Sequence, residues 1–362
     1  MSRRGDLQIE HYNPLKVMTF VFHIYDIRTS IKMQILNILL LVATVAIAAP
    51  SCTSSTSGND TITIDLSPST ISGLQLALHL ENLELNFLQS GSSNITNSNV
   101  QMGISNMTLN AIKEATKVSS TDAIFEYELT VMQQEERHVL TLQNILLAAG
   151  ASIIPECQYV FPSTNTTEFL SLGRSLSSVG LGAILALAES VANLDSDLVS
   201  GIASIAATEA RHDAFFNVAN GQLPNPAPFD TPISSTWAYN LASAFIVPAS
   251  CPLELPIPLL PNLTTQKSFR ANQTTMKFSW DPKQNPVVQE AGKDLFVGWV
   301  NQLGSPVYTP IISGGNGTGS TAIPSGLKGV VFAALTTQNN LVTVDDLTGA
   351  TLAGPAVILV DQ

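Results

Sequence analysis

The chain has 362 residues, of which 45% are hydrophobic and only 12% are charged, so it can bury one large core or two modest ones. Its formal net charge is -12, and no basic run in the sequence offsets this acidity. The composition therefore argues against nucleic acid and against an anionic membrane surface as partners.

The first element in chain order is a predicted secretion signal. Lys32 precedes an apolar stretch, Ile35 to Ala49, which contains an A-I-A sequence ending at Ala48. A basic residue, an apolar segment of this length and an A-x-A site are the parts of a signal peptide, and we expect cleavage near Ala48. Residues 1–48 are interpreted as an N-terminal extension plus signal peptide that starts at Met33. A signal anchor is the alternative, although the apolar run is short for a membrane span.

Acceptor sequences for N-linked glycans agree with the prediction of secretion. The N-x-[ST] pattern occurs seven times, and in a secreted chain this number is typical of a glycoprotein. We therefore expect glycans at these positions on the protein surface. The seven asparagines are Asn59, Asn94, Asn106, Asn165, Asn262, Asn272 and Asn316.

The three cysteines fit the same compartment. Cys52 lies just after the predicted cleavage site, whereas Cys157 and Cys251 flank the central helical region. An oxidising compartment favours pairing, so we predict a disulfide between Cys157 and Cys251 that closes a long loop and contributes about 4 kcal/mol. Three unpaired thiols are the alternative, which such a compartment disfavours.

Apolar residues recur at helical spacing in residues 69–250, and this region is predicted to be a helical bundle. A Ser/Thr-rich lead-in, residues 49–68, precedes it. A capping sequence at Ser119 starts one helix, and Gly150 and Pro248 each end one. The predicted spans are about Thr70–Gln89, Ser119–Ala149, Glu168–Asn193 and Leu198–Ala219, with a fifth helix over residues 235–247.

After the fifth helix, the helical spacing of apolar residues gives way to a proline-rich segment and then to short β-type runs. Residues 251–286 are rich in proline and are predicted to be an extended linker. Residues 287–362 contain short runs of β character between Gly-rich turns, namely PVYTPII, LKGVVFAALT, LVTVDD and PAVILV. The predicted fold is mainly α: a four-helix bundle with a fifth helix, followed by a small β-rich C-terminal module.

Two predicted helices carry ionisable residues in the middle of their apolar faces. Glu135 and His138 fall in the apolar series of the second helix, and Glu209 and His212 fall in that of the fourth. Glu and His three residues apart project from one face of a helix, so a single metal ion can contact both. Since an isolated buried carboxylate is unfavourable by several kcal/mol, this pattern predicts pairing or metal binding.

Further carboxylates for such a site come from the first and third helices. Glu81 lies on the apolar stripe of the first helix, and Glu84, one turn later, is expected to share the site or to replace Glu81. Glu189 is the candidate in the third helix, although it is offset from Glu209 by about 10 Å along the helix axes. One Glu from each of two helices plus Glu-x-x-His from two others is the ligand set of di-iron and di-manganese bundles. We therefore expect two ions of iron or manganese.

The motifs EERH and TEARHDAFF, together with LENLELNFL in the first helix, resemble the ferritin-like domain of secreted fungal stress-response and sexual-development proteins. Plant desiccation-related proteins share this domain. The resemblance covers roughly Ser67 to Cys251 and implies a ferritin-like bundle. It also implies metal ligands at Glu81, Glu135, His138, Glu209 and His212. Leu88 departs from many di-iron bundles, which have a tyrosine seven residues after the first Glu.

Two functional hypotheses follow. In the first, the protein is a secreted ferritin-like glycoprotein with a dinuclear Fe/Mn site that binds metal, reacts with oxygen or peroxide, or protects against oxidative or desiccation stress. In the second, it is a non-enzymatic cell-wall or stress-protective scaffold with a vestigial metal site, and its C-terminal module makes cell-wall contacts. The sequence contains no nucleophile elbow, phosphate-binding glycine loop or thiolate metal cluster that would compete with this site.

Overall fold

The computed structural model describes residues 63–94, 122–270, 272–283 and 294–361. The predicted signal peptide, Cys52 and the acceptor residues Asn59 and Asn106 lie outside these described residues. Thr61–Gln362 form one compact unit, so the helices and strands described below pack into a single body.

Four long helices and one shorter helix occupy the region in which helices are predicted. All five predicted helices are present, and their ends differ from the predicted ends by only a few residues. The helices are α1 (Pro68–Asn94), α2 (Asp122–Ala148), α3 (Thr166–Leu194), α4 (Val199–Ala219) and α5 (Ser235–Ser243), with a 3-10 turn (Ser196–Leu198) between α3 and α4. We call α1–α5 the helical domain.

Hydrogen bonds at the helix starts explain where α1 and α3 begin. The Ser67 hydroxyl oxygen accepts a bond from the Thr70 amide (3.2 Å), which caps the first turn of α1. The same hydroxyl donates to Oδ2 of Asp195 (2.8 Å), so the start of α1 is tied to the α3–α4 connection. At α3 the cap is Asn165, whose Oδ1 accepts from the Glu168 amide at 3.0 Å.

The long helices pack along their apolar faces. α3 packs against α4 and α1, and α1 also packs against α2 and α5. Because α1 is covered on several sides, its burial is almost continuous from Leu76 to Leu85. Within the described residues, α3 alone is long and apolar enough to cross a membrane, and half of its most apolar window is buried inside the protein, as in a core helix.

The predicted disulfide is present. Cys157 and Cys251 are bonded, with Cα atoms 4.3 Å apart and a sequence separation of 94. Beside this bond, the Val160 amide donates to the Phe245 carbonyl at 2.8 Å. The crosslink and the backbone pairing hold the loop after α2 against the segment after α5.

The second part of the protein is an eight-stranded sheet. Its strands are β1 (Leu263–Thr265), β2 (Ser268–Arg270), β3 (Thr275–Trp280), β4 (Phe296–Val300), β5 (Val307–Gly315), β6 (Thr318–Ala322), β7 (Val330–Thr336) and β8 (Ala353–Asp361), and a short helix, α6 (Val344–Gly349), precedes β8. The strand order is β1-β3-β6-β5-β4-β7-β8-β2, and neighbours are antiparallel except for β8 and β2.

The ends of this sheet approach each other. Its edge strands, β1 and β2, are consecutive in the chain and are joined by only two residues. The Gly354 amide in β8 also donates to the Pro261 carbonyl just before β1, at 2.8 Å. The sheet therefore curls into a partly closed barrel around a second apolar core, in which the rings of Phe278 and Trp299 meet edge to face at 5.7 Å.

The structure differs from the prediction in two places in this region. The segment 251–286, predicted to be a linker, contains β1, β2 and β3, so the sheet begins at Leu263. The run LVTVDD, predicted to be a strand, instead leads into α6. The reason is a capping box in which Thr343 Oγ1 accepts from the Asp346 amide (3.0 Å) and Asp346 Oδ2 accepts from the Thr343 amide (3.3 Å).

Buried polar contacts join the sheet to the helical domain. Arg174 of α3 donates from Nε to Oδ1 of Asn217 in α4 and from Nη1 to Oδ1 of Asp361 in β8, both at 2.7 Å. Trp237 of α5 donates from Nε1 to the Thr351 hydroxyl at 3.1 Å. The sheet and the segment just before β8 are thus attached to α3 and to α5.

Candidate metal centre

Three helices bring the predicted ligands together inside the helical domain. α1 supplies Glu81, α2 supplies Glu135 and His138, and α4 supplies Glu209 and His212. All five residues are buried, with exposures between 1% and 8%. We call these five residues the cluster.

His138 lies at the centre of one half of the cluster. Its Nδ1 atom is 3.2 Å from Oε2 of Glu81, 3.3 Å from Oε2 of Glu135 and 3.1 Å from Oε1 of Glu209. One ring nitrogen carries at most one proton, so it cannot donate to three carboxylates at once. Ligand atoms that each lie about 2.1 Å from a shared metal ion are about 3 Å apart, which is the spacing found here. The potential ligand atoms of these four residues all lie within 4.8 Å of one another.

His212 lies at the centre of the other half. Its Nε2 atom is 2.8 Å from Oε1 of Gln134, and since this oxygen only accepts, Nε2 carries a proton and donates it to Gln134. Its Nδ1 atom is 2.8 Å from Oε1 of Glu135 and 3.4 Å from Oε2 of Glu209, and it would become an acceptor on losing its proton to a metal ion. Nδ1 of His212 and both oxygens of Glu209 are buried and make no hydrogen bond of acceptable geometry with the described residues. Such a set of acceptors fits a cation between them.

Two carboxylates belong to both halves. Glu135 turns Oε2 to His138 and Oε1 to His212, and Glu209 turns Oε1 to His138 and Oε2 to His212. The two imidazole rings are 6.2 Å apart between centroids. Glu135 and Glu209 therefore have the placement of carboxylates that bridge two adjacent positions.

Burial and repulsion shift the acid–base equilibria of the cluster. Burial raises the pKa of Glu81, and the Glu135 charge raises it further. Burial alone would raise the pKa of Glu135, but its close contacts with the His138 and His212 rings outweigh burial and lower it. Burial opposes protonation of the histidines, yet the carboxylates raise the pKa of His138 well above its usual range and that of His212 to about 9. In the metal-free protein, protons on the imidazoles balance the carboxylates, and a metal ion would replace them.

Glu84, one turn further along α1, lines the same cavity as Glu81 and Glu209. Its side chain is buried, and burial together with the charges of Glu209 and Glu135 raises its pKa. The carboxylate lies over Gly180 at the middle of α3, where a Cβ atom would collide with Oε1 of Glu84. The position of Glu84 is consistent with the prediction that it shares the site with Glu81.

Glu189 does not reach the cluster. Its side chain is exposed near the C-terminal end of α3, as its axial offset from Glu209 predicts. The other acidic residue of α3 is Glu168, which is exposed at the first turn. The prediction of a ligand at Glu189 is therefore not supported, and α3, which is described along its whole length, supplies no carboxylate.

Two cavities border the carboxylates. One, of about 400 Å³, lies between α1 and α3 and is lined by Glu81, Glu84 and Glu209 together with mainly apolar side chains. The other, of about 260 Å³, lies between the helices and the sheet and shares Glu84 and Gly180 with the first. Water, oxygen or peroxide therefore fits beside the cluster without displacement of a helix.

Sequence reasoning missed two residues beside the cluster and the burial of His79. Gln134, which orients His212, and Gly180, which makes room for Glu84, have no signature of their own in the sequence. His79 lies off the ligand stripe of α1, which predicts a rim position, but it is only 2% exposed and packs 5.5 Å from the Tyr239 ring of α5. Burial lowers the pKa of His79 to about 4.

Comparison with known proteins agrees with the helical part of this fold. Residues 69–222 match the sequence model of the ferritin-like domain, a span that includes α1 to α4 almost entirely and every residue of the cluster. No curated protein matches the chain. The chain thus contains a ferritin-like domain of several helices, followed by a C-terminal β-sheet, and its buried Glu/His cluster could hold a metal ion.

Proposed function

We propose that this protein is a secreted ferritin-like glycoprotein whose four long helices form a four-helix bundle around a dinuclear iron or manganese site. One observation carries the proposal: Glu135 and Glu209 each direct one oxygen to His138 and the other to His212. Two half-sites that share two carboxylates are suited to two ions. Two divalent ions would also balance charges that are otherwise unfavourable in a dry core.

Each residue of the cluster has a distinct part in this proposal. Glu81 and His138 would hold one ion, His212 would hold the other, and Glu135 and Glu209, which face both histidines, would serve both ions. Gln134 fixes the ring of His212 so that Nδ1 faces the carboxylates. Carboxylate and imidazole donors favour iron or manganese over a metal selected by thiolates. The chemistry such ions supply is electron exchange with oxygen or peroxide, which the adjoining cavity would admit.

Secretion and glycosylation are proposed from the sequence, with support from exposed positions. The predicted signal peptide and the seven acceptor sequences favour an extracellular or cell-wall location. The disulfide between Cys157 and Cys251 suits an oxidising compartment. The acceptor residues whose side chains are described are all exposed, namely Asn165, Asn262, Asn272 and Asn316. We propose protection against oxidative or desiccation stress as the role.

A second function, a non-enzymatic stress-protective or cell-wall scaffold, is favoured by one observation. α3 supplies no carboxylate to the cluster, since Glu168 and Glu189 are both exposed. A bundle in which one helix no longer supplies a ligand could keep the remaining Glu and His residues only because they form ion pairs with one another. In that case the β-sheet would make the contacts with the cell wall.

Elemental analysis of the protein purified without chelator distinguishes the two functions. The dinuclear site predicts about two iron or manganese ions per chain. It also predicts their loss in the double variant Glu135→Ala/His212→Ala, which removes a bridging ligand and an end ligand. A matched control is Glu136→Ala/Arg211→Ala, because these exposed neighbours flank the same positions. The control should keep the metal content of the wild type.

The scaffold function predicts the opposite result. The wild-type protein would then contain no metal, even after anaerobic loading with ferrous or manganous ions. Thermal unfolding with and without chelator gives a second readout, because the binding energy of a metal held by the fold adds to the stability of the fold. An unchanged melting temperature after chelation, together with absent metal, would refute the dinuclear site.

A further inference from the structure

We propose that Glu84 is a ligand of the same metal centre and takes the place of a carboxylate from α3, with Gly180 providing the room. This inference rests on the dinuclear site proposed above. It assigns six donor residues to three helices and none to the fourth.

The side of the cluster that faces α3 is the side on which Glu84 lies. Gly180 stands at the middle of α3 and lines the same cavity as Glu81, Glu84 and Glu209. Any side chain at residue 180 would occupy the volume of the Glu84 carboxylate, since even a Cβ atom would collide with Oε1. The Glu84 carboxylate of α1 therefore occupies the space that a side chain at residue 180 of α3 would otherwise fill.

The Glu84 carboxylate has no other visible partner. The residue is 9% exposed, and no described residue donates a hydrogen bond or forms an ion pair with its oxygens. A buried carboxylate in this situation is unfavourable, and the nearest charged groups include the carboxylates of Glu209 and Glu135, which repel it. A cation shared with those carboxylates would turn the repulsion into a common attraction.

The spacing of the donors supports the same assignment. Glu135 and His138 are three residues apart on α2, Glu209 and His212 are three residues apart on α4, and Glu81 and Glu84 have this spacing on α1. Each contributing helix therefore directs two donors to the centre from consecutive turns. Three such pairs supply the six protein ligands that a two-ion carboxylate centre uses.

The placement also makes Glu84 the ligand nearest to an entering molecule. It borders both the cavity between α1 and α3 and the cavity beside the sheet, whereas Glu81 and Glu209 border only the first. A carboxylate that faces open space on two sides can shift more freely than one packed between helices. Glu84 is therefore the ligand whose movement would open a coordination position.

The test is a titration of the metal-free, full-length protein with manganous ion, followed by calorimetry and by electron paramagnetic resonance of free and bound manganese. Glu84→Gln keeps the size of the side chain and removes its charge. Gly180→Ala keeps Glu84 but pushes its carboxylate away from α3, and alanine favours the helix more than glycine does. Glu189→Gln is the matched control, because Glu189 is exposed on α3.

We expect the wild type and Glu189→Gln to bind two ions with equal affinity. In Glu84→Gln and in Gly180→Ala, at least one ion should bind about 10-fold more weakly or be lost, with the fold retained by circular dichroism. Wild-type number and affinity in both variants would overturn the assignment of Glu84 while leaving the dinuclear site standing. Absence of binding by the wild type would overturn both, so the two failures are distinguishable.

Discussion

The helical domain and the β-sheet bury very different side chains. Among the side chains that the structure describes, the helical domain buries three histidines, four glutamates and Arg174. From Leu263 onward, the described buried polar side chains are those of Thr321 and Thr336. Ionisable groups in a core destabilise a fold unless they are paired or bind a ligand. Without a bound ion, the buried ionisable groups therefore make the helical domain the less stable region, whereas the described part of the sheet has an almost entirely apolar core.

The largest expected effect concerns the covalent crosslink of the helical domain. If the helical domain is the less stable region, its folding should depend strongly on the disulfide between Cys157 and Cys251, which are 94 positions apart in sequence. We expect Cys157→Ala/Cys251→Ala to lower the free energy of unfolding by about 4 to 5 kcal/mol, measured by urea denaturation with far-ultraviolet circular dichroism. The control is Cys52→Ala, which should unfold like the wild type. A loss below about 1 kcal/mol would contradict the comparison.

A smaller effect is expected from buried His79 on acidification. Its pKa of about 4 in the folded protein lies below the ordinary 6.5, so between these values the unfolded chain binds more protons than the folded one. The free energy of unfolding that depends on neutral His79 is therefore fully present above pH 6.5. It is lost as the pH falls toward 4, by about 3 kcal/mol in total.

The control for this pH dependence is His79→Phe, which keeps a ring against Tyr239 but does not titrate. The wild type should lose more stability than this variant between about pH 7 and about pH 4.5, as measured by urea denaturation at each pH. Parallel losses in the two proteins would show that His79 is accessible to protons in the folded state.

The smallest expected effect lies in the sheet. Thr321 is buried, and its hydroxyl lies 2.8 Å from both Thr309 Oγ1 and the Pro310 carbonyl. Thr321→Val should lower the free energy of unfolding by about 1 kcal/mol, the worth of one neutral hydrogen bond, and equally at neutral and acidic pH. Thr275→Val, at an exposed position of β3, is the matched control and should have no measurable effect. A pH-dependent loss in Thr321→Val would place a hidden ionisable group in the sheet.

The long helices and the cluster could be predicted from the sequence because both rest on repetition. Each helix repeats its apolar spacing over several turns, so single exceptions do not obscure it. Glu135, His138, Glu209 and His212 interrupt that spacing at inward positions, and they could be recognised for this reason. The prediction needed no contact between distant residues.

The remaining features depend on contacts between distant residues. β1 to β3 are short, and a proline-rich sequence hides their pairing with β6 and β8. Gly180 acquires its meaning only from the Glu84 carboxylate of another helix. His79 is buried because α5 covers a side of α1 that the periodicity of α1 alone assigns to the rim. Each of these features depends on a residue from another helix or strand, which the local sequence pattern does not identify.

The cap of α3 has a consequence for the handling of the protein. Asn165 caps the helix through Oδ1, while its amide nitrogen, the atom to which an N-linked glycan attaches, lies 3.5 Å from Thr164 Oγ1 and donates to the exposed Glu168 carboxylate. A sugar chain at this position would leave the cap in place. Enzymatic deglycosylation that converts asparagine to aspartate would put a negative charge at the positive end of the helix, where aspartate caps equally well. Removal of glycans is therefore compatible with an intact α3.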